Sequence, residues 1–554
     1  MAGTPLAVGR RLLDVGLAAD AVVLLKRAYE QAPNDSDRAR WLAEAQLVLQ
    51  AYDDAALTLA AGLASSPADA DLIALHAELA LLRGSLASAG NLLDEAIGAH
   101  GAHPTLLAKR GHVHFLAGEH DHATEVLERS LAIDPRDLAA QSLLIVAKSG
   151  DPAMTTRRLK GLQRRWTAPE AVPANNLVSA AMTGGVPTLR VGYVSAAFHN
   201  HAAARVFSAA LLHHDPALIE TYCYATSRRR DAVSVRLRLA AKAWRSIAGL
   251  DDVAAARLIR SDGIDILVDL DGHFRHNRLG IFAMRAAPVQ VSAWGYVPGP
   301  GTPGIDYLMT DQVIVPDADE QWFSERVVRL PCAQPCNGDL SQRRDPPAAI
   351  PALPGRPVRF GCFNRYDKLS TAALSLWAKL LAACPSSTLT LKDRFLAEAA
   401  PRNRIRTALA RDGVHPDRVV FEPREPHAGY LAAHDRIDLA FDPFPVNGGA
   451  TTLDALSQGV PVVTLYGGEP SGRIGASILT ALGLDRCVCH TPDDYLQTAV
   501  RLARDRSALD ELKRTARLAA RTGFGSDAMR HYAGAVEDAY RDMWERHCRR
   551  AGLA

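Results

Sequence analysis

The sequence predicts an array of paired helices joined to a two-lobed α/β region, which makes it an α plus α/β protein. Two observations predict this. Small residues and leucines recur every 34 positions through the first 150 residues, and short β-branched apolar runs then alternate twice with helical stretches.

The front array rests on several columns. Ala21, Ala55, Ala89 and Ala123 keep the period, and so do Leu25, Leu59, Leu93 and Leu127. Gly9, Ala43, Ala77 and Gly111 form another small-residue column, as do Ala28, Gly62, Ala96 and Ser130. Gly16, Gln50, Gly84 and Gly118 stand at the turn. Small residues let two helices approach closely, leucines fill the seam, and glycine ends a helix. These columns resemble the tetratricopeptide repeat over residues 1–150. Such arrays stack into curved superhelices, so a peptide or protein partner is expected in the groove. Residues 151–187 lose the columns and read as a helical connector.

The α/β region follows. The runs at 188–198, 264–272, 288–297 and 305–315 predict buried parallel strands of a first lobe, 188–345, with a helix over 251–260. A proline-rich stretch, 331–357, marks the join. Runs at 358–364, 388–393, 418–423, 437–443 and 460–465 predict a second lobe, 356–525, and a helical tail closes the chain over 526–554. Ligands of open α/β sheets sit beyond the carboxyl ends of the strands, which here places a cleft between the lobes.

Bulk properties narrow the function. The 554 residues carry 63 basic and 61 acidic side chains, a formal charge of +2, which argues against a surface built for nucleic acid. The N-terminus lacks a basic start followed by an apolar core, and no apolar run has membrane-spanning length, so a cytoplasmic protein without a membrane partner is expected. The eight cysteines include Cys332/Cys336 and Cys487/Cys489, but no second pair at zinc-site spacing, so free thiols are expected.

Three stretches carry candidate chemistry. In 447–464, "NGGATTLDALSQGVPVVT", a strand-end loop runs into a helix. Asn447, Gly448, Gly449, Ala450, Thr451 and Thr452 can present backbone N–H groups and hydroxyls to a phosphate, and Asp454 can accept two ribose hydroxyls. A capping role for Thr451, with Asp454 complementing the helix dipole, explains the same residues equally well. In 362–370, "CFNRYDKLS", Arg365 and Lys368 follow the first strand of the second lobe and reach the same cleft. There they can stabilise a departing diphosphate without a metal. In 199–201, "HNH" follows the first strand of the first lobe. "DLD" at 269–271 and "DAD" at 317–319 are too sparse for a metal site, although Asp269 ends a buried strand. "GPGTPG" at 299–304 fits a dinucleotide motif literally, but a strand follows it where a helix is needed. A loop at the cleft mouth is expected there.

Together with "FEPREPHAGYLAAHDRIDLAFDPFPVNGG" and "GRIGASILTALGL", these stretches behind the repeats resemble the O-linked N-acetylglucosamine transferases. The resemblance implies a GT-B pair of Rossmann-like lobes and UDP-N-acetylglucosamine as donor. It further implies inverting transfer to Ser or Thr of a protein, with no cofactor or metal. By motif it implies that Lys368 contacts the diphosphate, His201 is the active-site histidine, Asp454 binds ribose and Tyr430 lies by the uracil. Asp269 is a weaker candidate base. Animal relatives carry histidine and threonine where Gly449 and Ala450 stand, glutamine where Arg365 stands, and a regular asparagine ladder in the repeats that is missing here. Another UDP-sugar enzyme of the same fold, such as an epimerase or a glycan or lipid glycosyltransferase, and a low-activity repeat scaffold remain alternatives.

Overall fold

The computed structural model describes residues 4–166, 188–331 and 356–552. Cys332, Cys336 and most of the two predicted linkers lie outside them.

Ten helices come first: α1 (Pro5–Asp14), α2 (Ala18–Gln31), α3 (Ser36–Val48), α4 (Tyr52–Ser65), α5 (Ala70–Leu82), α6 (Leu86–His100), α7 (Pro104–Leu116), α8 (His120–Ile133), α9 (Leu138–Lys148) and α10 (Thr156–Gln163). The alanine and leucine columns are the seams of these hairpins, and all eight side chains are fully buried. A Cβ at Gly9 or Gly111 would stand 2.8 or 2.6 Å from Leu25 or Leu127 Cγ, so the glycines set how closely the helices approach. The turn column shares one device. After α1, α3, α5 and α7 the chain takes φ of +79°, +60°, +85° and +69° at Gly16, Gln50, Gly84 and Gly118. At each, the following N–H reaches back to the carbonyl five residues earlier, as in Ala51 to Gln46 at 2.9 Å. Gln50 holds the left-handed conformation that glycine holds in the other three repeats.

The first lobe is a seven-stranded parallel sheet of β1 (Leu189–Ser195), β2 (Ile219–Ala225), β3 (Ala243–Ser246), β4 (Ile266–Asp269), β5 (Val289–Ser292), β6 (Tyr307–Thr310) and β7 (Arg326–Arg329), in order 3-2-1-4-5-6-7. The second has six parallel strands: β8 (Arg359–Cys362), β9 (Thr388–Lys392), β10 (Val419–Glu422), β11 (Leu439–Phe441), β12 (Val462–Leu465) and β13 (Val488–Cys489), in order 10-9-8-11-12-13. Both are doubly wound, and their switch points fall between β1 and β4 and between β8 and β11. The strands at 219–225, 243–246, 326–329 and 488–489 were not among the predicted runs.

The long last helix, Ser526–Ala551, leaves the second lobe and packs on the first. Tyr532 Oη accepts from Trp294 Nε1 at 2.6 Å, and Glu537 lies 3.0 Å from His214. The repeats touch both lobes as well. Arg275 forks onto Glu78 of α5 at 2.8 and 2.9 Å, and Glu398 accepts from the Leu86 N–H that opens α6 at 2.9 Å. The "GPGTPG" loop leads into β6 and not into a helix. It is largely buried against α10, where Lys160 donates to Gly299 O at 3.1 Å. Among the described residues no helix is long and apolar enough to cross a membrane.

Candidate functional site

The carboxyl ends of β8 and β11 form one wall of the cleft. From β11 the chain runs through Asp442 and Asn447 into a helix, Ala450–Ser457, whose N-cap is Gly449 and which no side chain caps. This removes the capping reading of Thr451. Its hydroxyl donates to Asn364 Oδ1 at 2.8 Å instead of closing the helix end. The first-turn N–H groups and the positive end of the helix dipole are therefore presented toward the cleft.

The two adjacent glycines differ. A Cβ at Gly448 would stand 2.8 Å from both Asn364 Oδ1 and Asp442 Oδ1, so only glycine fits. A Cβ at Gly449 would meet only Ile474 Cγ2, at 3.4 Å. Gly448 N–H donates to Asp442 Oδ1 at 2.6 Å, and Thr464 donates to its Oδ2 at 2.9 Å. Burial still pushes the Asp442 carboxyl up to about 7. Asn447 is fully buried and donates to Pro443 O at 2.9 Å, while its Oδ1 has no hydrogen-bond partner among the described residues. An orphaned acceptor of this kind marks a place where a polar ligand or water belongs.

Lys368 ends a short 3₁₀ turn, Tyr366–Lys368, just after β8. Its Nζ donates to Asn447 O, which pins the ammonium at the mouth of the 447–452 loop. Desolvation and the neighbouring Arg365 lower its pKa to about 8, against the pull of Asp367 and Asp442. Arg365 is exposed and bonds Asp367 Oδ2 at 2.8 Å. Ala450 and Thr452 stand in the first turn of the helix, and Thr451, Thr452, Asn364, Asp442 and Phe363 line one small cavity.

Asp454 is buried and faces across the cleft. Arg205, on the first-lobe helix Ala202–Leu211, reaches its Oδ2 at 3.1 Å and also approaches His427 Nε2 at 3.0 Å. Burial raises the Asp454 carboxyl to about 6, with Arg205 opposing the rise. His427 stacks on Tyr430 at 5.8 Å and 17°, and Tyr430 leans on Phe363 and His434. A flat aromatic shelf thus lies beside the carboxylate.

The first-lobe wall is different. His201 is the N-cap of the helix Ala202–Leu211, and its Nδ1 accepts from Ala203 N–H at 3.2 Å. Although the residue is exposed, desolvation of its ring, then His199 and the Arg365 and Arg205 guanidiniums, lowers its pKa to about 4. The ring is neutral at pH 7, and the capping bond leaves the proton on Nε2. His201 therefore offers a donor to the cleft. Asp269 does not fit the candidate base role. It is buried and accepts from the N–H groups of Asp271 and Gly272 and from Ser292 Oγ, at 2.9 to 3.1 Å. Both of its oxygens brace the strand-end loop. Asp271 is likewise consumed by Ser195 Oγ and Ala196 N–H at 2.8 and 2.7 Å. In "DAD", Asp319 pairs with Arg473 at 2.6 Å and Asp317 with Arg329 at 3.2 Å.

Arg205, Asn364, His427 and Asp442 were not among the predicted site residues. Asn364 and Asp442 stand inside quoted motifs at strand ends, which is a usable signal. Arg205 and His427 lie 222 positions apart and meet only through the fold.

With this geometry in place, comparison with known proteins decides the family. The profile of glycosyl transferase family 41 matches residues 176–339 and 349–533. The chain belongs to glycosyl transferase family 41. A tetratricopeptide repeat profile matches residues 12–79 of this family 41 chain. It is 35% identical over 366 residues to the probable UDP-N-acetylglucosamine–peptide N-acetylglucosaminyltransferase SPINDLY of Oryza sativa subsp. japonica, covering 65% of the chain and 39% of that protein. It is 32% identical over 378 residues to the probable enzyme of the same printed activity, SEC, of Arabidopsis thaliana, covering 66% of the chain and 38% of SEC. The chain thus spans well under half the length of these curated relatives. Among solved structures, an O-GlcNAc transferase mutant from Thermobaculum terrenum superposes with a TM-score of 0.81 at 30% identity, over 100% of both chains.

Proposed function

We propose that this family 41 chain transfers N-acetylglucosamine from UDP-N-acetylglucosamine to Ser or Thr hydroxyls of proteins in the cytoplasm, with inversion. The observation that carries the reading is the Lys368 ammonium held on the Asn447 carbonyl beside an uncapped helix N-terminus. A diphosphate placed there meets a cation, backbone N–H groups and a helix dipole, the positive potential that a divalent ion supplies in other transferases. Asp454 would accept the ribose hydroxyls and Tyr430, on which His427 stacks, would lie by the uracil.

In the reaction the acceptor hydroxyl oxygen bonds to the anomeric carbon from the face opposite the phosphate. The carbon–oxygen bond to the diphosphate breaks, its electron pair leaves on the β-phosphate oxygen, and the hydroxyl proton passes to solvent water. Arg365, Lys368 and the 448–452 backbone take up the charge on the leaving group. His201, with its proton on Nε2, orients acceptor or donor oxygens and is a positioning group. The repeats, docked on both lobes, would hold the acceptor polypeptide.

Calorimetry with UDP tests the donor site. Wild type binds, and affinity falls as pH rises through about 8, where Lys368 loses its charge. Lys368→Met flattens that profile and lowers turnover about a hundredfold or more. A wild type that ignores UDP would refute the transferase. Radiolabelled donor added to cell lysate tests the acceptor, and label found only in lipid or soluble glycan rules out protein transfer.

A further inference from the structure

The fourth repeat carries a feature that its packing does not require. His114 lies in the last turn of α7, Gly118 ends that helix in the left-handed conformation, Glu119 is the N-cap of α8, and His122 sits in its first turn. The Glu119 N–H closes the turn on His114 O at 2.9 Å, so all three side chains spring from a fixed backbone. His114 Nδ1 is 2.6 Å from Glu119 Oε2, and the two imidazole centroids are 5.4 Å apart. One ligand atom from each of the three lies within 4.8 Å of the others, and no other group of His, Cys, Asp or Glu among the described residues does so.

The other repeats show what the turn needs. At the same three positions they hold Leu12, Leu17 and Asp20, then Gln46, Ala51 and Asp54, then Ala80, Ser85 and Ser88. All four turns close with the same backbone hydrogen bonds. Neither the helix seam nor the turn therefore asks for two histidines and a glutamate. Glu119 and His122 are exposed, so an ion can reach them from solvent.

We infer that His114, Glu119 and His122 form a binding site for a zinc-class divalent cation on the outer turn of the fourth repeat. Two imidazoles and one carboxylate are the ligand set of three-ligand zinc sites, with water in the fourth position. Imidazole nitrogen favours zinc, copper or nickel over magnesium or calcium. Zinc at about 2.1 Å from each ligand draws the three atoms to about 3.4 Å from one another, a closure that side-chain rotation supplies. The site is independent of the donor reading. It nonetheless abuts the donor wall: His120, between two of the ligands, contacts Asp367 O at 3.1 Å, and Arg404 donates to Ala117 O and Leu369 O at 3.2 and 3.4 Å.

The test uses the full chain, stripped with chelator and titrated with Zn2+ against a chromophoric competitor. Wild type should bind one equivalent more than the His114→Ala/His122→Ala variant. Co2+ should give visible absorption bands in wild type that are lost in the variant. The exposed His122→Ala and Glu119→Gln single variants, checked by melting temperature without metal, guard against a folding defect and should each weaken zinc binding at least tenfold. Equal stoichiometry and affinity in wild type and His122→Ala would overturn the site, as would a wild type that leaves all zinc on the competitor.

Discussion

The two lobes share a doubly wound topology, yet the loops beyond their strand ends differ. In the first lobe the acids at the β4 end turn inward. Asp269 and Asp271 between them accept from backbone N–H groups of Asp271, Gly272 and Ala196 and from the hydroxyls of Ser292 and Ser195. In the second lobe Asp442 at the β11 end is braced likewise by the Gly448 N–H and the Thr464 hydroxyl, but the loop beyond it leads to an uncapped helix, a Gly449 whose Cβ would meet only Ile474, and a buried Asn447 oxygen without a hydrogen-bond partner among the described residues. Polar groups that satisfy each other stabilise a fold, whereas polar groups left over mark where a ligand completes the structure. Position at a strand end is thus no guide to function until the hydrogen bonds are followed.

The largest effect that follows is on the first-lobe side. Asp269→Ala leaves two N–H groups and a buried hydroxyl without an acceptor, at a cost of about 3 kcal/mol or more. Thermal or denaturant unfolding should show that loss, while UDP affinity of the folded fraction stays at the wild-type level. An Asp269→Asn protein with wild-type stability and UDP affinity but no turnover would reverse the assignment and make Asp269 chemical. A smaller effect separates the two glycines of the second lobe. Gly448→Ala must displace Asn364, Asp442 or the loop itself, and misplacement of this order costs roughly a hundredfold in turnover. Gly449→Ala meets only Ile474 Cγ2, at an ordinary contact distance of 3.4 Å, and should leave melting temperature and UDP affinity nearly unchanged. Equal behaviour of the two variants would remove the argument that the 448–452 backbone is shaped for a phosphate.

Much of this contrast was legible in the sequence, but unevenly. The repeat columns were readable because each hairpin solves the same packing problem. Even Gln50, which breaks the glycine column, keeps its left-handed φ because the surrounding seam imposes the turn. Most of the buried central strands were readable from β-branched runs, whereas β2 mixes polar residues into its run (IETYCYA), β3 at the sheet edge reads AWRS, and β13 is only two residues long. Within the site, Lys368 and the 447–454 loop were readable because each lies on one local motif. Asp269 was misleading, since its partners Gly272 and Ser292 are chosen by the turn and the neighbouring strand. Arg205 was invisible, because the residue that gives it meaning, Asp454, lies 249 positions away on the other lobe.

That pair supplies the finest test, because it is where the two walls touch. In the proposed ribose role Asp454 accepts two hydroxyls fully only as a carboxylate, and burial holds its pKa up at about 6. UDP affinity should therefore be full well above pH 6 and fall as pH drops through it, by up to tenfold per unit below the midpoint. Arg205 opposes the upward shift, so Arg205→Leu should move the midpoint higher and leave binding weaker at pH 7. Calorimetric titrations between pH 5 and 8, read beside the Lys368→Met profile that tests the upper limb near 8, separate the two groups. A midpoint unmoved by Arg205→Leu would mean that the first lobe merely abuts Asp454. A midpoint that rises shows that one lobe sets the protonation state of the residue on which the other depends.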